Sequence, residues 1–283
     1  MKYCFGVRVG PRVFRIGSDR GGPVAALREL YADYPQDEDA IPHRTVRLEA
    51  TSLLRRFVRA QVAIRGDYEL PGAVPVGLSH GLIAAEMGMN LQMALGERRF
   101  LLLHAASVER DGRALLMTGD SGSGKSTLSA VLGCRGWRFL GDEFALIEPA
   151  TGLVHPFPRP VSLKNEAIAE MVRRCPGVRF GPLIAGTPKG DIRHMIPEEA
   201  AIAAMDRPAM PALILFPRFG FEAETRTVGP SETFVRLTRA STNYVALGEA
   251  GFDALTRLVT SVPARAIDYP DTEAALKLVE ALW

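Results

Sequence analysis

Gly119-Asp120-Ser121-Gly122-Ser123-Gly124-Lys125-Ser126 is the stretch around which the chain is organised. It fits G-x-x-x-x-G-K-[ST], the pattern of a phosphate-cradling P-loop. Ala114 to Met117 run into it as a short apolar segment, and Leu128, Val131 and Leu132 follow at helical spacing. A strand, a loop and a helix beginning near Lys125 are therefore expected in that order. Gly119, Gly122 and Gly124 let the backbone turn tightly and aim its N–H groups inward. Those groups and the helix N-terminus make a nest for anionic oxygens. Lys125 adds a mobile positive charge for the outer phosphates, and the Ser126 hydroxyl is placed to ligate Mg²⁺. The expected nucleotide contacts run from Gly119 to Ser126 and include Thr127. The bland alternative is a chance glycine-rich turn, which average residue usage produces in about one chain in a hundred of this length.

The remaining composition bounds the answer without narrowing it. With 283 residues the chain is long enough for a sizeable core, as one large domain or a small one beside a larger one. Hydrophobic residues make up 47% and charged residues 23%, which is ordinary for a soluble globular protein. The net charge of +2, from 34 basic and 32 acidic residues, gives no reason to expect a nucleic-acid partner. No run of 18 apolar residues is present and residues 1–20 are broken by Arg8, Arg12, Arg15, Asp19 and Arg20, so neither a membrane span nor a signal peptide is expected. Cys4, Cys134 and Cys175 are scattered and odd in number, which reads as free thiols in a reducing, cytoplasmic setting.

Outward from the loop, residues 1–98 read as a mixed, β-rich flank, either a small domain or part of the nucleotide core, and 99–283 as the catalytic domain. In the flank, residues 2–18 predict a hairpin turning at Gly10-Pro11, Val24 to Tyr31 a short helix, and Val46 to Glu49 a strand. Leu53 to Ile64 is ambiguous between helix and strand. Leu82, Ile83, Met87, Leu91 and Leu95 predict a helix over His80–Leu95, with Met87, Met89 and Met93 as packing residues. In the core, Phe100 to Leu103 and Arg113 to Thr118 read as apolar strands separated by a polar turn at Glu109-Arg110-Asp111-Gly112. Such uninterrupted runs suit a sheet covered on both faces. Further strands are expected at Trp137–Leu140, Phe144–Ile147, Leu153–Phe157, Ala212–Phe216, Thr225–Val228 and Pro263–Tyr269. Helices are expected at Glu166–Arg174, 198–206, Gly251–Val259 and after an Asp271 N-cap. The proline-dense stretch 156–165 predicts an irregular path, and Pro182 to Pro197 a cationic loop.

Asp142-Glu143 is the second chemical feature, seventeen residues after Lys125 and at the end of an apolar segment. An acidic group there can meet the Mg²⁺ held by Ser126, and a second carboxylate can orient or deprotonate an incoming hydroxyl. Ser126, Asp142 and Glu143 are thus the metal candidates, with the division of labour between the two acids open; an acidic hairpin turn is the plain alternative. His104 closes the Phe100–Leu103 segment and can approach the loop from a neighbouring strand for acid/base work or polar orientation. Lys189 and Arg193, and with less weight Lys164 and Arg159, can offset transition-state charge or hold an acidic substrate. A solvated cationic surface explains them equally.

Together, His104-Ala105-Ala106, the loop at Gly119–Ser126 and Gly141-Asp142-Glu143 resemble the histidine, P-loop and paired acids of the HPr serine kinase/phosphorylase superfamily, in its shorter HPr-kinase-related branch. Arg159-Pro160-Val161-Ser162-Leu163-Lys164-Asn165 and Gly186-Thr187-Pro188-Lys189-Gly190 look like motifs of that branch. The resemblance covers about 99–197 and fades toward both ends. It implies an α/β fold with a P-loop, phosphoenolpyruvate-carboxykinase-like mixed-sheet core, and ATP- and Mg²⁺-dependent phosphorylation of a seryl hydroxyl. It assigns phosphate and metal roles to Lys125 and Ser126, the acidic pair to Asp142 and Glu143, and a place near the phosphates to His104. Glu143 stands where the family pair has a second Asp. No phosphorylase signature follows. Related kinases accompany small peptide-binding proteins and peptide-modification systems, so a peptide or small protein is the implied acceptor; a homo-oligomer is also implied. Two other classes stay open: a P-loop kinase of small molecules, and a nucleotide-dependent binding or assembly module without phosphotransfer.

Overall fold

The computed structural model describes residues 1–55 and 57–283. Arg56, within the ambiguous Leu53–Ile64 stretch, lies outside the described residues. The chain is a mixed α/β fold with several sheets.

The flank builds the first sheet. β1 (Tyr3–Val9) and β2 (Arg12–Ser18) form the expected hairpin, in which Phe5, Val7 and Val9 alternate into the core. Helix α1 (Gly21–Leu30) crosses to β3 (Arg44–Ala50), which runs parallel to β2, and β4 (Gln61–Gly66) and β5 (Val76–Gly77) continue antiparallel. Helix α2 (Gly81–Gly96) lies against β3 and β4. Gly88 permits the close approach, because a Cβ there would stand 2.5 Å from a methyl of Val46. Met89 and Met93 are buried as expected, whereas Met87 is on the outer face. The resulting core is shared with residues of the second half, including Phe144, Leu146 and Phe157.

Two buried ion pairs fix the flank, the first within it and the second to the rest of the chain. Arg12 donates to both carboxylate oxygens of Glu97 at 2.6 Å. Arg159 is enclosed by Glu86, Asn90 and the Tyr31 hydroxyl, the last at 3.2 Å, and Tyr31 in turn donates to Glu86 at 2.8 Å. Burial opposes the charge of Arg159, but Glu86 and Tyr31 outweigh it and keep the guanidinium protonated. Arg159 thus spends its donors on structure.

The central sheet carries the loop. After β6 (Leu101–Leu103) come β7 (Ala105–Arg110), β8 (Arg113–Thr118), the loop, and α3 (Lys125–Gly133). Then follow β9 (Arg138–Gly141), β10 (Ala145–Ile147), β11 (Val154–His155), β12 (Val161–Lys164) and α4 (Glu166–Arg174). β13 (Phe180–Thr187) and β14 (Gly190–Met195) precede α5 (Glu199–Ala203), β15 (Met210–Phe219) and β16 (Glu224–Val228). The chain ends with α6 (Pro230–Ala240), α7 (Tyr244–Leu247), α8 (Glu249–Ser261), β17 (Ala264–Tyr269) and α9 (Thr272–Leu282). Six strands form the sheet β16-β17-β15-β8-β7-β9, in which β8, β15 and β17 are parallel and β7 runs against β8 and β9. Leu115 and Met117 face α3 and α9, while Ala114 and Leu116 face α6 and α8, so both sides of β8 are covered. Burying a side chain of that size contributes roughly 1.5–3 kcal/mol, which is why the strand reads as continuously apolar. Two three-stranded sheets, β11-β10-β6 and β12-β14-β13, complete the fold.

Several expectations are corrected. The polar turn expected at Glu109–Gly112 is confined to Asp111-Gly112; Glu109 and Arg110 belong to β7, and the Glu109 carboxylate is held by Arg138. The cationic loop expected over Pro182–Pro197 is largely the hairpin β13–β14, and the irregular stretch 156–165 ends in β12. Cys134 and Cys175, expected as free thiols, form a disulfide with Cα atoms 5.9 Å apart, leaving Cys4 free. Disulfides are rare where thiols are kept reduced, so the pair weighs against the reducing-compartment expectation. No helix among the described residues is long and apolar enough to cross a membrane.

Candidate functional site

The loop between β8 and α3 is built by its glycines. Gly122 and Gly124 have φ of 87° and 92°, a region that costs a side-chain-bearing residue energy. At Gly124 space is also lacking, since a Cβ would stand 2.2 Å from the Tyr269 hydroxyl. That hydroxyl, at the end of β17, donates to the Ser123 carbonyl at 2.9 Å and braces the loop from behind. Burial pushes the Tyr269 phenol up, so it stays a neutral donor. Lys125 is folded across the loop, its Nζ donating to the carbonyls of Gly119 at 2.7 Å and Asp120 at 2.9 Å. Burial lowers its pKa, against the opposing pull of Asp142, Glu143 and Asp120.

Asp142 follows β9 and is only 7% exposed. Burial, then the neighbouring charge of Glu143, push its pKa up to about 7; the nearby Ser126 hydroxyl, Lys125 and Lys164 pull the other way. The last residue of the motif and the first acid of the pair are therefore neighbours in space. Glu143 is far more open. Its carboxylate lies 3.7 Å from His104 Nδ1, and its carbonyl 3.1 Å from the same nitrogen. His104 stands between β6 and β7, where its N–H donates to Ala240 at 2.8 Å and its carbonyl accepts from the Thr118 hydroxyl at 3.0 Å. Thr118 ends β8, so His104 is fixed to the strand that delivers the loop.

The later basic residues separate. Lys164 lies close enough to Asp142 and Lys125 to act on both charges. Asn165, next to it, anchors the β13–β14 turn: its side chain accepts from the Asp191 N–H at 3.1 Å and donates to the Lys189 carbonyl at 3.4 Å. The Lys189 side chain is exposed on that turn. Arg193 instead donates to the Gly181 carbonyl at 3.0 Å and lies 4.8 Å from the Phe180 ring centroid, so its guanidinium is committed to β13. Sequence reasoning missed Tyr269 and gave Lys164 less weight than Arg193. The one available signal for Tyr269 was a hydroxyl-bearing aromatic at the end of an expected strand.

No cluster of three or more His, Cys, Asp or Glu that could hold a metal is present among the described residues. Mg²⁺ bound together with phosphates needs only a hydroxyl and one or two carboxylates. Ser126 with Asp142, and Glu143 beside them, meet that requirement.

A family model described as SynChlorMet cassette protein ScmC matches residues 83–178, from within α2 to just before β13. That span encloses the loop, the acidic pair and Lys164, and carries a different name from the family the motifs resemble. Among solved structures, the HPr(Ser) kinase/phosphatase from Coxiella burnetii is similar over 64% of this chain and 92% of its own, with 17% identity and a TM-score of 0.30. The resemblance is weak and partial, and says nothing about chemistry. No curated protein matches the chain closely enough to count as a relative.

Proposed function

We propose that this chain transfers the γ-phosphoryl group of ATP to a seryl hydroxyl of a peptide or small protein. One observation carries the reading: Ser126, closing a P-loop motif, lies near the buried Asp142, with Lys125 and Lys164 close enough to act on that carboxylate. Backbone N–H groups of Gly119–Ser126 and the start of α3, with Thr127, cradle the phosphates. Ser126 and Asp142 would hold Mg²⁺, which when bound would neutralise charge on the phosphates. Lys125 leaves the loop carbonyls for the outer phosphates.

Glu143, open to solvent and oriented by His104, takes the proton of the acceptor hydroxyl. The acceptor oxygen forms its bond to γ-phosphorus as the bridging bond to the β-phosphate breaks, and ADP leaves. Lys164, with Lys189 on the turn anchored by Asn165, offsets the developing charge. The exposure of Glu143 and His104 supports an acceptor presented by a macromolecule rather than one enclosed in a small pocket.

The test is γ-labelled ATP with candidate peptides and small partner proteins. Label should reach a seryl oxygen, and Lys125→Ala should abolish transfer. Glu143→Gln should lower kcat while leaving ATP affinity intact. Label found only on a small metabolite would sink the acceptor class.

A further inference from the structure

We infer that the cavity on the β15–β17 side of the loop seats the nucleoside of a nucleoside triphosphate, with its base stacked on Phe219 and Phe221. The inference rests on the phosphate-binding reading above and places the half of the nucleotide which that reading leaves unassigned. Sheet order sets the direction. β8 has β7 and β9 on one side and β15 and β17 on the other. Asp142 follows β9 and lies near Ser126, so the metal-bearing end of the polyphosphate points toward β9. A P-loop grips the α- and β-phosphates with its backbone and the β- and γ-phosphates with its lysine. The nucleoside therefore leaves on the opposite side, over the carboxyl ends of the parallel strands, where open α/β sheets bind ligands.

A cavity of about 550 Å³ lies there, lined by Gly119–Ser123, the end of β15, Phe221 and Asp268. Phe219 and Phe221 are 51% and 47% exposed. Single exposed aromatics are ordinary; two on the wall of one cavity beside a phosphate loop form a platform. Phe219 is backed by Tyr269, ring centroids 5.9 Å apart, the same tyrosine that braces Ser123. Phe221 carries the Arg218 guanidinium 3.9 Å from its centroid, and Arg218 is held by its ion pair with Asp268. Aromatic faces and a guanidinium plane are the surfaces on which nucleobases stack without regard to sequence.

Calorimetric titration of the full chain with Mg²⁺·ATP and with Mg²⁺·tripolyphosphate tests this. Wild type should bind ATP more tightly than tripolyphosphate. Phe219→Ala and Phe221→Ala should lose about tenfold or more in ATP affinity, the size of one lost base–aromatic stack, and keep their tripolyphosphate affinity. Phe221→Trp, which retains a stacking face, should keep ATP affinity. Alanine variants that bind ATP like wild type overturn the seat while leaving the phosphate reading intact. Equal loss of both ligands also overturns it, because the rings would then act on the loop. If wild type binds neither ligand, the P-loop reading fails first and takes the inference with it.

Discussion

Replacing Asp142 by Asn should make the metal-free, nucleotide-free protein more stable, and increasingly so as pH rises. Asp142 is buried beside Glu143, and its pKa stands at about 7 against an ordinary 3.8. A folded-state pKa raised in this way favours the neutral acid. The stability linked to it is complete below pH 3.8 and is lost as pH climbs toward 7. The full loss is about three pKa units at 1.36 kcal/mol each, so about 4 kcal/mol as an upper bound. Asn keeps the size but has no charge to bury. Urea denaturation of wild type and variant in EDTA from pH 4 to pH 8 reads the difference directly. The gap should widen through that window and flatten above pH 7. With Mg²⁺·ATP at a hundredfold its dissociation constant, wild type should gain about 2.7 kcal/mol, while the variant gains little. A gap independent of pH, or a variant less stable at pH 8, would refute the argument that Asp142 is held against its charge.

Three further outcomes are expected. Glu86→Ala leaves the buried Arg159 guanidinium without its carboxylate and should cost about 3–5 kcal/mol in urea denaturation; a loss under about 1 kcal/mol would contradict that account. Breaking the Cys134–Cys175 bond, which spans 41 residues, should lower stability by about 4 kcal/mol on the chain-entropy view. Thiol labelling of the unfolded, unreduced chain should find Cys4 alone, and three reactive thiols would remove the premise. Tyr269→Phe should cost about 1 kcal/mol through the lost bond to Ser123. Gly124→Ala should cost less in that background than alone, because the hydroxyl 2.2 Å from the new Cβ is gone; purely additive thermal shifts would argue against the contact.

The segment from Arg113 to Gly133 was legible in the sequence because every local signal there agrees. β8 is apolar on both faces, the glycines demand positive φ, and α3 begins where its apolar spacing begins. The acidic pair was legible as chemistry, but only the fold distinguishes a buried Asp142 from an open Glu143. β7 escaped notice because its charged end looks like a turn; Glu109 is tolerated in the strand by Arg138, which is 29 residues away. The β13–β14 hairpin was masked by Gly186-Thr187-Pro188-Lys189-Gly190, a true turn whose polarity hid the strands around it. Arg193 was singled out for its charge, and only strand pairing shows where that charge is spent. Cys134 and Cys175 meet because α3 and α4 pack together, which no spacing rule announces.

The brace supplied by Tyr269 has a consequence for synthesis. The phenol that closes the back of the loop is encoded 146 residues after Ser123. At ribosomal rates of 5–20 residues per second, the loop leaves the tunnel roughly 7–30 s before its support exists. Its parallel neighbours β15 and β17 are also late. During that interval the nascent chain carries the phosphate motif without the strands that shape it. A ribosome stalled before β17 should therefore hold a chain that has the motif but no phosphate affinity, and nucleotide capture should begin only once the last strand is out.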